Sequence, residues 1–155
     1  MNYDDAIALI KGAPNSEDAS VSLEEVEGAE VSRSEQQLGR TFPAALKELW
    51  ASIGYGSFKA PLKGGDRTPY VNMLMHPSAI VDTYRTYSDE FGDALPFFDV
   101  SDEDYLLIQA DGWIRHSAAE DMLLAKDLHD FIERIADDPM FWASGNYLQK
   151  TQKEP

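Results

Sequence analysis

The sequence contains no cysteine among its 155 residues. Disulfide bridges, thiolate zinc sites and cysteine nucleophiles are therefore excluded. The chain also lacks any run of about 18–20 apolar residues, the length that a membrane-spanning helix needs. Its opening stretch, MNYDDAIALIKGAP, carries acidic residues where a secretion signal has basic ones. We therefore expect a soluble, cytoplasmic protein.

Basic side chains are few, with 13 Lys and Arg against 28 Asp and Glu, which gives a formal net charge of −15. Such a field repels nucleic acid and anionic membranes, and it speeds the encounter with a basic protein. The excess is concentrated between residues 82 and 138, where 16 acidic residues stand against 4 basic ones. One strongly negative face is expected, although acidity on its own also serves solubility.

Enzyme signatures are missing as well. Residues 54–59, GYGSFK, match the first two glycines of a dinucleotide-binding fingerprint, but Lys59 replaces the third and a helical pattern precedes them. His76, His116 and His129 lie far apart in the sequence and belong to no metal-binding pattern. No serine lies in a GxSxG motif. The sequence therefore predicts a protein without catalytic residues, cofactor or metal.

What the chain does contain is enough apolar material for one core, with 43% hydrophobic residues. Residues 1–30 are interpreted as an N-terminal helix, from Tyr3 to Lys11, and a polar acidic linker with a short helical piece near residues 23–26. Residues 31–148 are expected to form a single α+β domain, and residues 149–155 a loose tail.

Two further helices are predicted before the first strand. Ser32 and Glu35 have the spacing of a capping box at a helix start, and Gly39 fits a left-handed helix end. Pro43 suits the first turn of the next helix. Apolar residues of that helix fall on one stripe, which is expected to be core: Phe42, Leu46, Leu49, Trp50 and Ile53. Two glycines after the stripe, Gly54 and Gly56, favour a sharp exit into a strand.

The middle of the chain predicts strands. Candidates are residues 55–60, 70–74, 95–100, 105–109, 113–115 and 121–125, with a loop at 62–69 and a helix that begins at Pro77. Asp111-Gly112 is a strong hairpin signal. An amphipathic helix over residues 126–135 and a short aromatic segment follow. The order predicts an α+β fold, with a central, mostly antiparallel sheet and helices packed on it, first at the N-terminus and last at the C-terminus.

The run DVSDEDY places four carboxylates close together: Asp99, Asp102, Glu103 and Asp104. A solvated turn between two strands explains them with the fewest assumptions. A docking surface for a basic protein is the second interpretation, and a metal or catalytic site is the third. An EF-hand loop starting at Asp102 lacks its glycine, since Leu107 occupies the sixth position.

Aromatic residues lie on or beside the predicted strands, and most of them are expected to be core. Tyr and Trp are also favoured interface anchors. The candidate partner-binding residues are therefore the four carboxylates Asp99, Asp102, Glu103 and Asp104, with Tyr55, Tyr105 and Trp113.

The stretch VSRSEQQLGRTFPAALKELWASIGYGSF resembles the opening of the SUKH superfamily, the Smi–Knr type proteins. The resemblance is carried by Ser32, Glu35, Gly39, Phe42, Pro43, Leu46, Trp50, Gly54 and Gly56. NMLMHPSAI, LPFFDVSDEDYLLIQADG and DLHDFIERI resemble later parts of the family pattern in the same order. The match covers residues 31–135, and GYG stands where many members have Asn-Gly-Gly.

The resemblance implies a role in protein binding. Bacterial members are largely cytoplasmic immunity proteins that bind and neutralise a cognate toxin domain, often a nuclease, and fungal relatives are regulatory scaffolds. An immunity protein whose partner is a toxin with a basic surface is thus the leading expectation. A regulatory scaffold of the Smi–Knr type with a non-toxin partner is the alternative, and a small metal-dependent hydrolase is the remote one. The oligomeric state is left open.

Overall fold

The computed structural model describes residues 2–12, 20–59, 72–100 and 103–149. The helices in this part of the chain are α1 (Tyr3–Gly12), α2 (Gly28–Leu38), α3 (Ala44–Ile53), α4 (Pro77–Phe91) and α5 (Leu128–Asp137). The strands are β1 (Ser20–Glu24), β2 (Tyr55–Lys59), β3 (Asn72–Leu74), β4 (Leu95–Asp99), β5 (Tyr105–Ile108), β6 (Ile114–His116) and β7 (Leu123–Ala125). A 3₁₀ turn, Phe141–Ala143, follows α5.

All seven strands form one sheet in the order β1-β2-β3-β4-β5-β6-β7. Every neighbouring pair is antiparallel, so the sheet is a meander in which each strand pairs with the next one along the chain. The predicted α+β fold with an antiparallel sheet is therefore confirmed. The Asp111-Gly112 signal is confirmed as the connection of β5 to β6, which is closed by a 2.8 Å bond from the Gln109 N–H to the Trp113 carbonyl.

The two faces of the sheet carry different packing. Leu106 and Ile108 of β5 belong to the main core together with residues of α1, α3 and α5. Because side chains alternate along a strand, Leu107 points to the opposite face. There it packs with Phe91, at the end of α4, and with Ala94. The C-terminal part of α4 therefore covers the second face.

The apolar stripe of α3 is buried as predicted. The chain then leaves the helix at Gly54, whose φ is 81°, and Gly56 has a φ of 134°. A side chain at Gly54 would run into the carbonyl oxygen of Glu24, at the end of β1. The glycine exit is thus required both by its backbone conformation and by the close approach of β1.

The interpretation of residues 13–30 as a linker is wrong for the residues that the structure describes. β1 pairs with the whole of β2, and Leu23 packs against the main core, where a short helical piece had been predicted for residues 23–26. The alternation in SVSLE is a two-residue period, which is the pattern of a half-buried strand. Residues 13–19 lie outside the described part.

The capping box predicted at Ser32 and Glu35 is also wrong. α2 begins about one turn earlier, at Gly28, where the Glu27 N–H donates to Glu30 Oε1 at 3.1 Å. Glu35 instead accepts a 2.8 Å bond from the Phe42 N–H and pairs with Lys47 Nζ at 2.8 Å. It ties α2 to the start of α3, and Gly39 ends α2 in the predicted left-handed conformation.

Smaller differences concern helix bounds. Pro43 immediately precedes α3 instead of lying in its first turn, and its carbonyl accepts from the N–H groups of Leu46 and Lys47. α4 begins at Pro77 as predicted and continues to Phe91, with a kink at Tyr87, whose φ of −117° and ψ of 17° are non-helical. The predicted loop at 62–69, residues 70–71 of the predicted strand at 70–74 and residues 150–155 of the predicted tail at 149–155 lie outside the described residues. No helix in the described ranges is long and apolar enough to cross a membrane.

Candidate functional site

The acidic run connects β4 to β5. Asp99, the last residue of β4, pairs with Tyr105, the first residue of β5, and the Val100 N–H donates to the Asp104 carbonyl at 3.3 Å. Glu103 is exposed and has a φ of 63°, a left-handed conformation that suits a tight turn. Asp102 lies outside the described residues, so its predicted role stays a prediction.

Two of these carboxylates are tied to other elements. Glu103 Oε1 accepts a 3.1 Å hydrogen bond from the Tyr87 hydroxyl on α4, and this bond raises the pKa of Tyr87 above its ordinary value. Asp104 Oδ1 accepts a long bond of 3.5 Å from Ser117 Oγ, which itself accepts from the Tyr105 N–H at 2.9 Å. The turn is thus held against both α4 and the segment after β6.

Tyr105 is half-buried in an aromatic cluster on the second face of the sheet. Its ring centroid lies 6.0 Å from that of Tyr87 and 6.2 Å from that of Phe91. Burial and the Asp99 carboxylate raise the pKa of Tyr105, while its hydrogen bond with Thr83 opposes that change. Tyr105 therefore supports the turn as a packed residue.

These residues lie beside a cleft of about 560 Å³ between the end of α4 and the segments that flank β5 and β6. We call it the acidic cleft and define it by Tyr87, Glu90, Glu103, Asp104, Arg115 and Glu120. Glu90, Glu103 and Glu120 are exposed and Asp104 is half-buried. The cleft can accept cationic groups through four carboxylates that come from three parts of the chain.

The acidic cleft includes residues that the sequence analysis missed. Glu90 comes from α4, Arg115 from β6 and Glu120 from the connection between β6 and β7. The only sequence signal for Glu90 and Glu120 is the excess of acidic residues between positions 82 and 138, and it does not single them out. Arg115 is one of the four basic residues in that same range.

The remaining candidate aromatic residues lie elsewhere. Trp113 precedes β6 at the turn end of the β5–β6 hairpin, where its N–H donates to Asp111 Oδ1 at 3.1 Å. Tyr105, which pairs with Asp99 of β4, lies at the other end of β5. Tyr55 lies on β2, three strands from β5, and its ring meets His76 edge-on at 4.7 Å between centroids. The structure therefore brings Asp99, Glu103, Asp104 and Tyr105 together and places Tyr55 and Trp113 apart.

His76 joins a second polar cluster at the start of α4. Its Nε2 lies 2.9 Å from Glu30 Oε2, and its Nδ1 lies 2.8 Å from Ser78 Oγ. The Ser78 N–H also donates to Nδ1 at 3.0 Å, so Nδ1 is an acceptor and Nε2 carries the proton that Glu30 accepts. Because Nδ1 already caps the helix, we interpret this serine, histidine and glutamate as a structural tie between α2 and α4.

Metal coordination was the third interpretation of the acidic run. Within the described ranges, no group of three or more His, Asp or Glu side chains is arranged to hold a metal ion.

No protein-family model matches the sequence, and no curated protein matches it significantly.

Proposed function

We propose that this protein is a cytoplasmic immunity protein that binds a cognate toxin domain with a basic surface and blocks it through the acidic cleft. The observation that carries the proposal is the convergence of Glu90, Glu103, Asp104 and Glu120 on one cleft. In a chain with a formal net charge of −15, such a cleft concentrates the negative field at one place.

The chemistry of the cleft supports a basic protein as the ligand. Lysine and arginine side chains reach into clefts on flexible stems and pair with carboxylates, and electrostatic complementarity raises the association rate. A nuclease needs a basic surface to hold phosphates, so an acidic inhibitor can take the place of the nucleic acid. Tyr87 and Tyr105 add aromatic surface at the cleft, which is typical of interface anchors.

The identity of the partner as a toxin is supported by the SUKH resemblance of residues 31–135. A regulatory scaffold with a non-toxin partner has the same chemical requirements, so a functional test must separate the two. The relevant difference is that an immunity protein rescues cells from a toxin, whereas a scaffold does not.

Co-expression provides that test. The chain is expressed together with the protein that the adjacent reading frame encodes, as the proposed toxin, and survival is scored for the wild type and for Glu103→Lys/Glu120→Lys. The control is Glu25→Lys/Glu48→Lys, which changes the net charge equally at two exposed residues away from the cleft. We expect the wild type and the control to protect and the cleft variant to protect less. Absence of protection by the folded wild type would contradict the proposal.

A further inference from the structure

Arg115 is a buried cation with few partners. Arg115 is only 5% exposed, and its Nη1 donates a hydrogen bond of 3.3 Å to the carbonyl of the adjacent His116. Among the described residues, no carboxylate oxygen lies within the 4.0 Å ion-pair distance of its guanidinium. A guanidinium presents five N–H donors, so most of those of Arg115 have no acceptor in the described part of the chain.

Two clefts meet at this side chain. Arg115 lines the acidic cleft, and it also lines a neighbouring cleft of about 580 Å³ bounded by Phe91, Asp93 and Glu120. Phe91 and Glu120 border both clefts, so Arg115 lies at their junction. Both volumes fall within the range of about 300–1,000 Å³ that is typical of small-molecule sites.

The surroundings limit what can reach Arg115. A buried guanidinium with free donors favours a carboxylate, which it can bind through two parallel hydrogen bonds. A simple anion that enters through the acidic cleft is repelled by Glu90, Glu103 and Glu120. One that enters through the neighbouring cleft is repelled by Asp93, Asp111 and Glu120. Burial lowers the pKa of Arg115 below its ordinary value, and Glu120 opposes that change. A ligand that carries both a carboxylate and a cationic group can pair with the Arg115 guanidinium and is also attracted by the surrounding carboxylates.

We propose that Arg115 binds the carboxylate of a small amino carboxylate, a zwitterion whose ammonium group faces Glu120 and the other carboxylates of the acidic cleft. The site uses the same cleft as the partner proposed above but does not depend on that partner. The ligand is bound without covalent chemistry, since the geometry provides recognition of charge and shape alone.

Titration of the isotope-labelled full chain tests this site. The probes are glycine, 4-aminobutyrate and lysine, with acetate and methylammonium as ligands that each carry one charge. The readout is the side-chain Nε–Hε resonance of Arg115 in proton–nitrogen correlation spectra, assigned by its loss in Arg115→Lys. We expect a saturable shift with at least one amino carboxylate, and about tenfold weaker binding of acetate and methylammonium. Absence of any saturable shift, or acetate binding as tightly as every zwitterion, would overturn the proposal.

Two variants and one control separate recognition from folding. Arg115→Lys has no Nε–Hε resonance, so its binding is followed through the backbone N–H shift of Glu120. This variant is expected to bind the amino carboxylate about ten- to a hundredfold more weakly. The control Arg85→Lys, at an exposed residue whose Nη2 donates to the Gln37 carbonyl, leaves binding unchanged. Glu120→Gln changes an exposed residue, so it remains informative if Arg115→Lys unfolds the chain. It is expected to weaken the zwitterion and strengthen acetate, and equal binding of both probes to Glu120→Gln and the wild type would contradict the site.

Discussion

The side chain of Asn72 on β3 holds the indole of Trp142 in the turn that follows α5. Asn72 Oδ1 accepts a 3.1 Å hydrogen bond from Trp142 Nε1, and Asn72 Nδ2 donates to the Pro139 carbonyl at 2.8 Å. Asn72 is 2% exposed and Trp142 is 4% exposed. One buried amide therefore anchors the C-terminal turn to the middle of the sheet.

Asn72→Ala is expected to destabilise the protein by about 2–4 kcal/mol, because it leaves the Trp142 N–H and the Pro139 carbonyl without this partner, and each unsatisfied group costs about 1–3 kcal/mol. Urea unfolding followed by fluorescence measures the change. The control Asn146→Ala, at an exposed residue, should stay within about 0.5 kcal/mol of the wild type. An equally small effect of Asn72→Ala would show that the anchor contributes little.

Gly54→Ala is expected to destabilise the protein by more than about 2 kcal/mol. Its φ of 81° is strained for alanine, and the new methyl group would collide with the Glu24 carbonyl at the β1 edge. Gly28→Ala is the matched control, since a methyl group there meets no atom within 4 Å. Hydrogen exchange should become faster in β1 and β2 of Gly54→Ala, and unchanged protection in both strands would refute the close approach.

The lowered pKa of buried His116 predicts that the protein loses folding stability on mild acidification. Burial lowers its pKa below the ordinary value of 6.5, so the unfolded chain takes up this proton at a higher pH than the folded chain does. The stability that depends on neutral His116 is complete above pH 6.5 and is lost as the pH falls below it. His116→Asn keeps an acceptor for the Ala118 N–H and should flatten the pH dependence of unfolding in this range. Identical slopes for wild type and variant would contradict this assignment.

The lowered pKa of Glu35 predicts a second loss of folding stability, at a lower pH. Its hydrogen bonds from Lys47 and the Phe42 N–H hold the pKa of this carboxyl below its ordinary value of 4.5. The stability that it contributes is complete above pH 4.5 and is lost as the pH falls through the lowered pKa. Unfolding measured from pH 6 to pH 2 should show a shallower decline for Glu35→Gln than for the exposed control Glu25→Gln. Parallel curves would argue against the tie between α2 and α3.

The elements that were predicted correctly are those specified by residues close together in the sequence. The stripe from Phe42 to Ile53 has a helical period, and Gly54 follows it because the chain must turn there. β1 was missed, since its five residues lie in an acidic stretch and their partners on β2, from Tyr55 to Lys59, follow only after two helices. The Ser32–Glu35 spacing was misleading because Glu27 and Glu30 repeat it about one turn earlier.

The candidate site was only partly predictable, because several of its residues come from distant parts of the chain. Glu103 and Asp104 are adjacent in the sequence, so their clustering is visible there. Glu90, Arg115 and Glu120 reach the cleft only through the packing of α4 on the second face and the turn after β6. Tyr55 and Trp113 were grouped with the carboxylates by residue type, and the sheet places them elsewhere.

The most direct test of the proposed binding surface is the rate of association between this protein and its proposed toxin partner at several salt concentrations. Glu103→Lys/Glu120→Lys is compared with the wild type and with the control Glu25→Lys/Glu48→Lys. If the acidic cleft binds a basic partner, the cleft variant associates at least about tenfold more slowly at low salt, and the difference shrinks as salt screens the charges. An association rate that responds neither to the cleft variant nor to salt would contradict this account.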